Sequence, residues 1–189
     1  MDKNKLVKMT IFRIARIAIF AAILFVQEEA LTGIPNIQLT QCLICIYFYA
    51  FGFVDSIIIV SIHVLLDNLV MGSFNLMYTP AMFVGWISLI LILYLYDKLT
   101  KNKKINQNKY IISGIVGLHG LIYSWCFVFV TVIIYKTPFI PYLMSDIPFE
   151  LILVVNGFLT TFLLFEVLVK VLKKIEYKIT NEDMNEEDS

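Results

Sequence analysis

Charge is what this sequence has least of. Lys, Arg, Asp and Glu make up 16% of its 189 residues, where a soluble domain carries about a quarter. With 59% hydrophobic residues and a mean hydropathy of +0.81, no part is polar enough to fold apart from a membrane. Cysteine is scarce, at Cys42, Cys45 and Cys126. The Cys42-x-x-Cys45 spacing fits a redox or zinc motif, but it falls in an apolar helix with no second pair. Buried structural thiols are the better reading. The first apolar segment lacks a small-residue cleavage site and so reads as a retained helix rather than a signal peptide. A Gly-rich phosphate loop and a recognisable nucleophile–base pair are missing too, so neither ATP hydrolysis nor any other hydrolysis is expected of this chain. Nothing points to a nucleic-acid partner.

What is present is a series of apolar runs. A bilayer about 30 Å thick needs spans of about 20 apolar residues. Six are predicted, near 11–32, 39–55, 57–73, 79–97, 110–135 and 148–172. The second and third are short and meet at a tight turn near Gly52 and Asp55. The expected fold is therefore an all-α integral membrane protein, a compact bundle of six transmembrane helices over 11–175. A cytoplasmic segment, 1–10, precedes it. An acidic tail, 176–189, follows and is expected to be disordered.

Basic residues orient the bundle. Lys3, Lys5, Lys8, Arg13 and Arg16 precede the first span, Lys98 to Lys109 surround the fourth connection, and Lys170, Lys173, Lys174 and Lys178 follow the last span. In a six-span arrangement all lie on one side and only Lys136 lies opposite, which predicts cytoplasmic termini. The connections 33–38, 74–78 and 136–147 then face outside. All five prolines (Pro35, Pro80, Pro138, Pro141 and Pro148) fall on that side. They either stiffen loops that close over a ligand or mark span ends.

Ionisable groups inside spans are costly and invite a functional question. Glu28, Glu29, Asp67, Asn68, Asp146, Glu150 and Asn156 cluster in the outer half, with Trp86, Tyr123 and Trp125 as flat faces and His119 deeper in the fifth span. A cavity opening outward accounts for this lopsided polarity. Ordinary packing is the competing explanation for Trp125, Tyr123 and Asn156, and a helix–helix hydrogen bond for His119 rather than a metal ligand. Glu150 and Asn156 stand out because they lie on one span within about 120° of each other. Glu28-Glu29 followed by His63-xxx-Asp67 partly matches intramembrane CAAX-type proteases. That pattern needs an Arg where this chain has Gly33 and a Phe four residues before a His, which neither His63 nor His119 has. Ala15, Ala18 and Ala22 share one face of the first span, a small-residue stripe suited to close helix approach within the chain or with a partner.

Over about 11–175 the chain resembles the S component, the substrate-binding membrane subunit, of energy-coupling factor (ECF) vitamin transporters. The resemblance rests on six spans in under 200 residues, on the Ala18-xxx-Ala22 stripe, on Ile34-Pro-Asn-Ile-Gln-Leu-Thr40, and on Ile147-Pro-Phe-Glu-Leu through Val155-Asn-Gly157. It implies a multi-pass plasma-membrane protein that captures a vitamin-like molecule from outside. A separate T component would hold it through Ala15, Ala18 and Ala22, and two ABC-type ATPase subunits would hydrolyse ATP, leaving this chain without a cofactor or metal of its own. The resemblance places Glu150, Asn156, Trp125, Tyr123, His119, Asn36, Gln38 and Asn68 at the substrate, with 33–38 and 74–78 as lids. A flat, donor-bearing heterocycle suits the aromatic and carboxylate groups. A stand-alone secondary transporter is the main rival; it calls for an internal repeat with broken helices, which is not evident here.

Overall fold

The computed structural model describes residues 3–70, 78–100 and 108–185, with side chains described for 10–70, 78–100 and 108–178. Among the described residues six helices follow one another: α1 (Lys3–Leu31), α2 (Thr40–Phe51), α3 (Phe53–Val70), α4 (Tyr78–Leu99), α5 (Lys109–Tyr135) and α6 (Phe139–Asn185). Five of them are long and apolar enough to cross a membrane. Contacts between distant residues show that the helices alternate in direction. Arg13 meets Asp55 and Tyr49 meets Asp97 at one end, while Gln27 meets Thr40 and Tyr78 meets Thr131 at the other. These are called below the Asp55 end and the Pro35 end.

The second expected span, 39–55, is corrected by the structure. Helix α2 has 12 residues, about 18 Å at the usual rise, which is shorter than a hydrocarbon core. Its residues Thr40 to Tyr49 are all buried, so α2 is a central post wrapped by the longer helices. Cys42 and Cys45 are free thiols inside it. Leu39 at its start has no side chain able to cap the helix, and Gln27 of α1 substitutes. Its Oε1 accepts from the Leu39 N–H at 2.8 Å and its Nε2 donates to Thr40 Oγ1 at 2.7 Å. At the other end Gly52 adopts φ 87°, a left-handed conformation that favours glycine. Its N–H closes α2 on Phe48 O, and its carbonyl accepts the Ser56 N–H and hydroxyl that start α3. The tight turn expected near Gly52 is this one.

The expected connection 136–147 is also shorter than its prolines suggest, because α6 begins at Phe139. Pro141 sits in the first turn, where a missing N–H costs nothing, and the Tyr142 N–H closes that turn on Pro138 O. Pro80 occupies the same kind of position in α4. Pro148 lies inside α6, which continues through it to Asn185, for 47 residues. That is about 70 Å, so one end must project beyond any bilayer. The acidic tail is accordingly helical as far as Asn185, continuing a Lys- and Glu-rich run of good helix formers.

Packing is most extensive between α5 and α6, where a Cβ on Gly117 would stand 2.9 Å from Val154 O. A Cβ on Gly157 would strike Gln41 of α2. At the Asp55 end, Asp55 accepts hydrogen bonds from Arg13 and Arg16, and Arg16 also pairs with Glu176. The Arg16 guanidinium lies 4.7 Å over the Phe51 ring. This charge network joins α1, α3 and α6.

Candidate functional site

Two adjoining hollows open at the Pro35 end. The first, about 440 Å³, lies under the loop after α1 and is walled by Glu28, Thr32, Pro35, Asn36, Gln38 and Asp67. The second, about 430 Å³, lies between α3, α4 and α5 and is walled by Glu28, Asp67, Asn68, Tyr78, Tyr123 and Phe127. Glu28 and Asp67 belong to both, so the two hollows adjoin at a shared polar waist. Each volume alone falls in the range of small-molecule sites.

The loop roof is built by local hydrogen bonding. Thr32 Oγ1 donates to Glu28 O at 3.0 Å and Glu29 O at 2.9 Å, ending α1. The Ile34 N–H then turns back onto Leu31 O. Asn36 takes a left-handed conformation, φ 58°, which Asn tolerates better than most residues. Its Nδ2 donates to Phe149 O at 2.9 Å. Asn156 Nδ2 reaches the other way, to Gln38 O at 2.5 Å. Asn36, Gln38 and Asn156, three residues the sequence places at the substrate, therefore meet as a clasp that ties the loop to α6. The side of Asn156 away from the clasp lines an apolar groove with Ile37 and Leu151.

The waist centres on carboxylates. Glu28 Oε2 accepts from Thr40 Oγ1 at 3.1 Å and lies 3.1 Å from Nε2 of His63, a wholly buried residue. Asp67 is one turn beyond His63 on α3, half-buried, with no hydrogen bond among the described residues. The aromatic wall is rigidly backed. Tyr123 stacks on the buried Trp86 with ring centroids 3.8 Å apart. A Cβ on Gly85 would come within 2.7 Å of the Tyr123 ring, so the glycine lets that ring lie against the α4 backbone. Phe127 completes the wall, 5.0 Å from Tyr123 and stacked on Tyr78 at 6.1 Å.

The remaining expected residues divide among different roles. Asn68 borders the second hollow, but its amide is occupied. Nδ2 donates to Val64 O at 2.8 Å and Oδ1 accepts from Thr79 at 2.7 Å. His119 is deeper, with Nε2 2.9 Å from Ser88 Oγ and 3.0 Å from Gly85 O; it is the hydrogen-bonded helix contact that the sequence favours. Glu150 is buried beside Ser124 and Trp125 on the α5–α6 side, away from the hollows. Asp146 accepts from Ser124 at 2.9 Å in the same region. Trp125 is 44% exposed on the bundle's outside. The lid expected at 74–78 lies outside the described residues except for Tyr78.

Glu28, His63 and Asp67 are the residues that sequence reasoning left out of the site. Their spacing is visible in the sequence: His63 and Asp67 are four apart and share a helix face, and Glu28 belongs with them to the partial protease-like pattern. The motif is incomplete, with Gly33 in place of its Arg and no Phe four residues before either histidine, yet the same side chains converge at the waist.

A second surface lies toward the Asp55 end. Helix α1 is the least buried of the five long apolar helices. It packs inward with Ile17, Ala21 and Leu24, leaving Ala15, Ala18 and Ala22 exposed. Ala18 borders a groove of about 620 Å³ between α1 and α3, walled by Arg13, Ile14, Ile17, Ile58 and Ile62. The stripe is thus not consumed by packing within the chain.

Comparison with curated proteins and with solved structures returns no match. The family model described as "ECF transporter, substrate-specific component" matches residues 12–169, which takes in the hollows, the clasp and the alanine stripe. That is a family of transporter subunits rather than of enzymes, and it makes the apolar helices those of a multi-pass membrane protein. A match over most of the chain's length identifies it: the chain belongs to the substrate-specific components of ECF transporters.

Proposed function

We propose that this chain is the capture subunit of an importer for a vitamin-like micronutrient, and that the paired hollow at the Pro35 end is where the molecule is held. The observation that carries the reading is the adjacency of the two hollows at Glu28 and Asp67, beneath a loop clasped to α6. A hollow roofed by a loop that two hydrogen bonds tie to α6 suits a carrier that must close over its cargo. The Pro35 end faces outside, as the distribution of lysines requires, and both termini are cytoplasmic. All six helices sit within the plasma membrane, α2 being sheltered by the others. The exposed face of Ala15, Ala18 and Ala22 receives a helix of the T component, and two ATPase subunits drive the cycle.

The test is reconstitution. Mass spectrometry of small molecules retained by the purified protein identifies the cargo. Proteoliposomes holding this chain alone should bind that cargo without accumulating it. Accumulation should require a T component, the ATPases and ATP. Accumulation by the chain alone, driven by an ion gradient, would overturn the reading in favour of a stand-alone transporter.

A further inference from the structure

We infer that the molecule held in the paired hollow is a small organic cation with a flat ring, with Asp67 as its counter-charge and Tyr123 and Phe127 as the surface for the ring. The inference rests on the reading of that hollow as the substrate site and adds the charge and shape of what it takes.

The charge follows from a count of the groups that face Asp67. Its electrostatic neighbours are Glu28, Glu29 and His63. His63 carries at most one positive charge, and its Nε2 lies 3.1 Å from Glu28 Oε2. No Lys or Arg lines either hollow among the described residues. Even with His63 protonated, the carboxylates outnumber the cations. Glu28 accepts from Thr40 and Glu29 Oε1 has no partner. Asp67, the one of the unpartnered pair that lines both hollows, has no hydrogen bond among the described residues. An ionised group in such surroundings is costly without a partner. A ligand cation supplies that partner, while a ligand bearing carboxylate or phosphate meets like charge.

The shape follows from the opposite wall. Tyr123 cannot swing aside, because Trp86 stacks behind it at 3.8 Å and the Gly85 backbone closes one edge. With Phe127 and Tyr78 it forms a fixed aromatic surface. The one amide on that wall, Asn68, already has its partners within the protein. What is left for a ligand is ring faces on one side and carboxylate oxygens on the other. That is the arrangement that favours a cationic or N–H-rich ring over a neutral or anionic one.

One ring in three charge states tests this: 1-methylnicotinamide (a permanent cation), nicotinamide (neutral) and nicotinate (an anion), titrated against the full-length protein in detergent with thermal stabilisation as the readout. The cation should bind at least about tenfold more tightly than the neutral form, a margin of about 1.4 kcal/mol, with nicotinate weakest. Asp67→Asn should abolish the cation's advantage and Tyr123→Leu should weaken both the cation and nicotinamide. If Asp67→Asn does not fold, Asp67→Glu should keep the order of the three. Equal binding of the three forms, or a preference for nicotinate, overturns the charge assignment. If Tyr123→Leu still weakens binding in that case, the hollow stands as the site. Binding that neither Asp67→Asn nor Tyr123→Leu affects overturns the site itself, and failure of the cation to bind at all overturns the proposal.

Discussion

Replacing Asp55 by Asn removes the one negative charge on which two arginines converge. The Asp55 side chain is 7% exposed and that of Arg16 is 11% exposed, whereas Arg13 is 51% exposed. Losing one partner of a buried ion pair costs about 3–5 kcal/mol, because the other is left uncompensated. Two features reduce that figure here. Arg13 can turn to water, where an exposed pair is worth about 0–1 kcal/mol, and Arg16 keeps Glu176. About 2–4 kcal/mol is therefore expected. At about 2–4 °C per kcal/mol for a chain of this size, the melting temperature should fall by about 4–16 °C. Trp86, fully buried, is a suitable fluorescent reporter for melting in detergent. Because α1 carries the exposed alanine face, assembly with a T component should weaken as well, while ligand binding at the other end persists. A melting temperature within about 2 °C of the parent would refute the argument, showing that apolar packing alone holds α1 in place.

Four further outcomes are expected. Ala18→Trp with Ala22→Trp should impair co-purification with a T component without changing ligand affinity; normal assembly would make the stripe an ordinary lipid-facing surface. Asn156→Ala removes the bond to Gln38 O and with it about 0.5–1.5 kcal/mol of loop ordering. Calorimetry with the identified cargo should show about two- to tenfold weaker binding, and an unchanged affinity would mean that the clasp does not govern closure. Gly117→Leu drives a side chain into Val154 O and should cost at least about 1–3 kcal/mol by overpacking. Gly33→Ala, with nothing within 4 Å of the new Cβ, should melt as the parent does.

The class of the molecule was legible because it depends on sums along the chain. Low charge and long apolar runs leave no route to a soluble fold. The alanine stripe was visible for the same reason, since helical periodicity alone puts Ala15, Ala18 and Ala22 on one face. Whether that face was covered was not visible, because covering depends on which other helix arrives. In the structure Ile17, Ala21 and Leu24 turn inward instead.

The site was less legible. Glu150 and Asn156 share a helix and polarity, yet one is buried toward α5 and the other bonds the loop after α1. A span's polar residues do not reveal which neighbour each will face. Glu28, His63 and Asp67 come from two helices and meet because α1 and α3 pack side by side.

The sequence by itself determined a helical membrane bundle and its family, because hydropathy and short motifs are properties of local stretches. Only the tertiary structure decided that α2 is a buried post, that the proline-rich approach to α6 is helical, and that an unpaired carboxylate faces an aromatic wall. Those outcomes depend on the contacts of side chains far apart in sequence, and hydrogen bonding and burial are settled only when the helices pack.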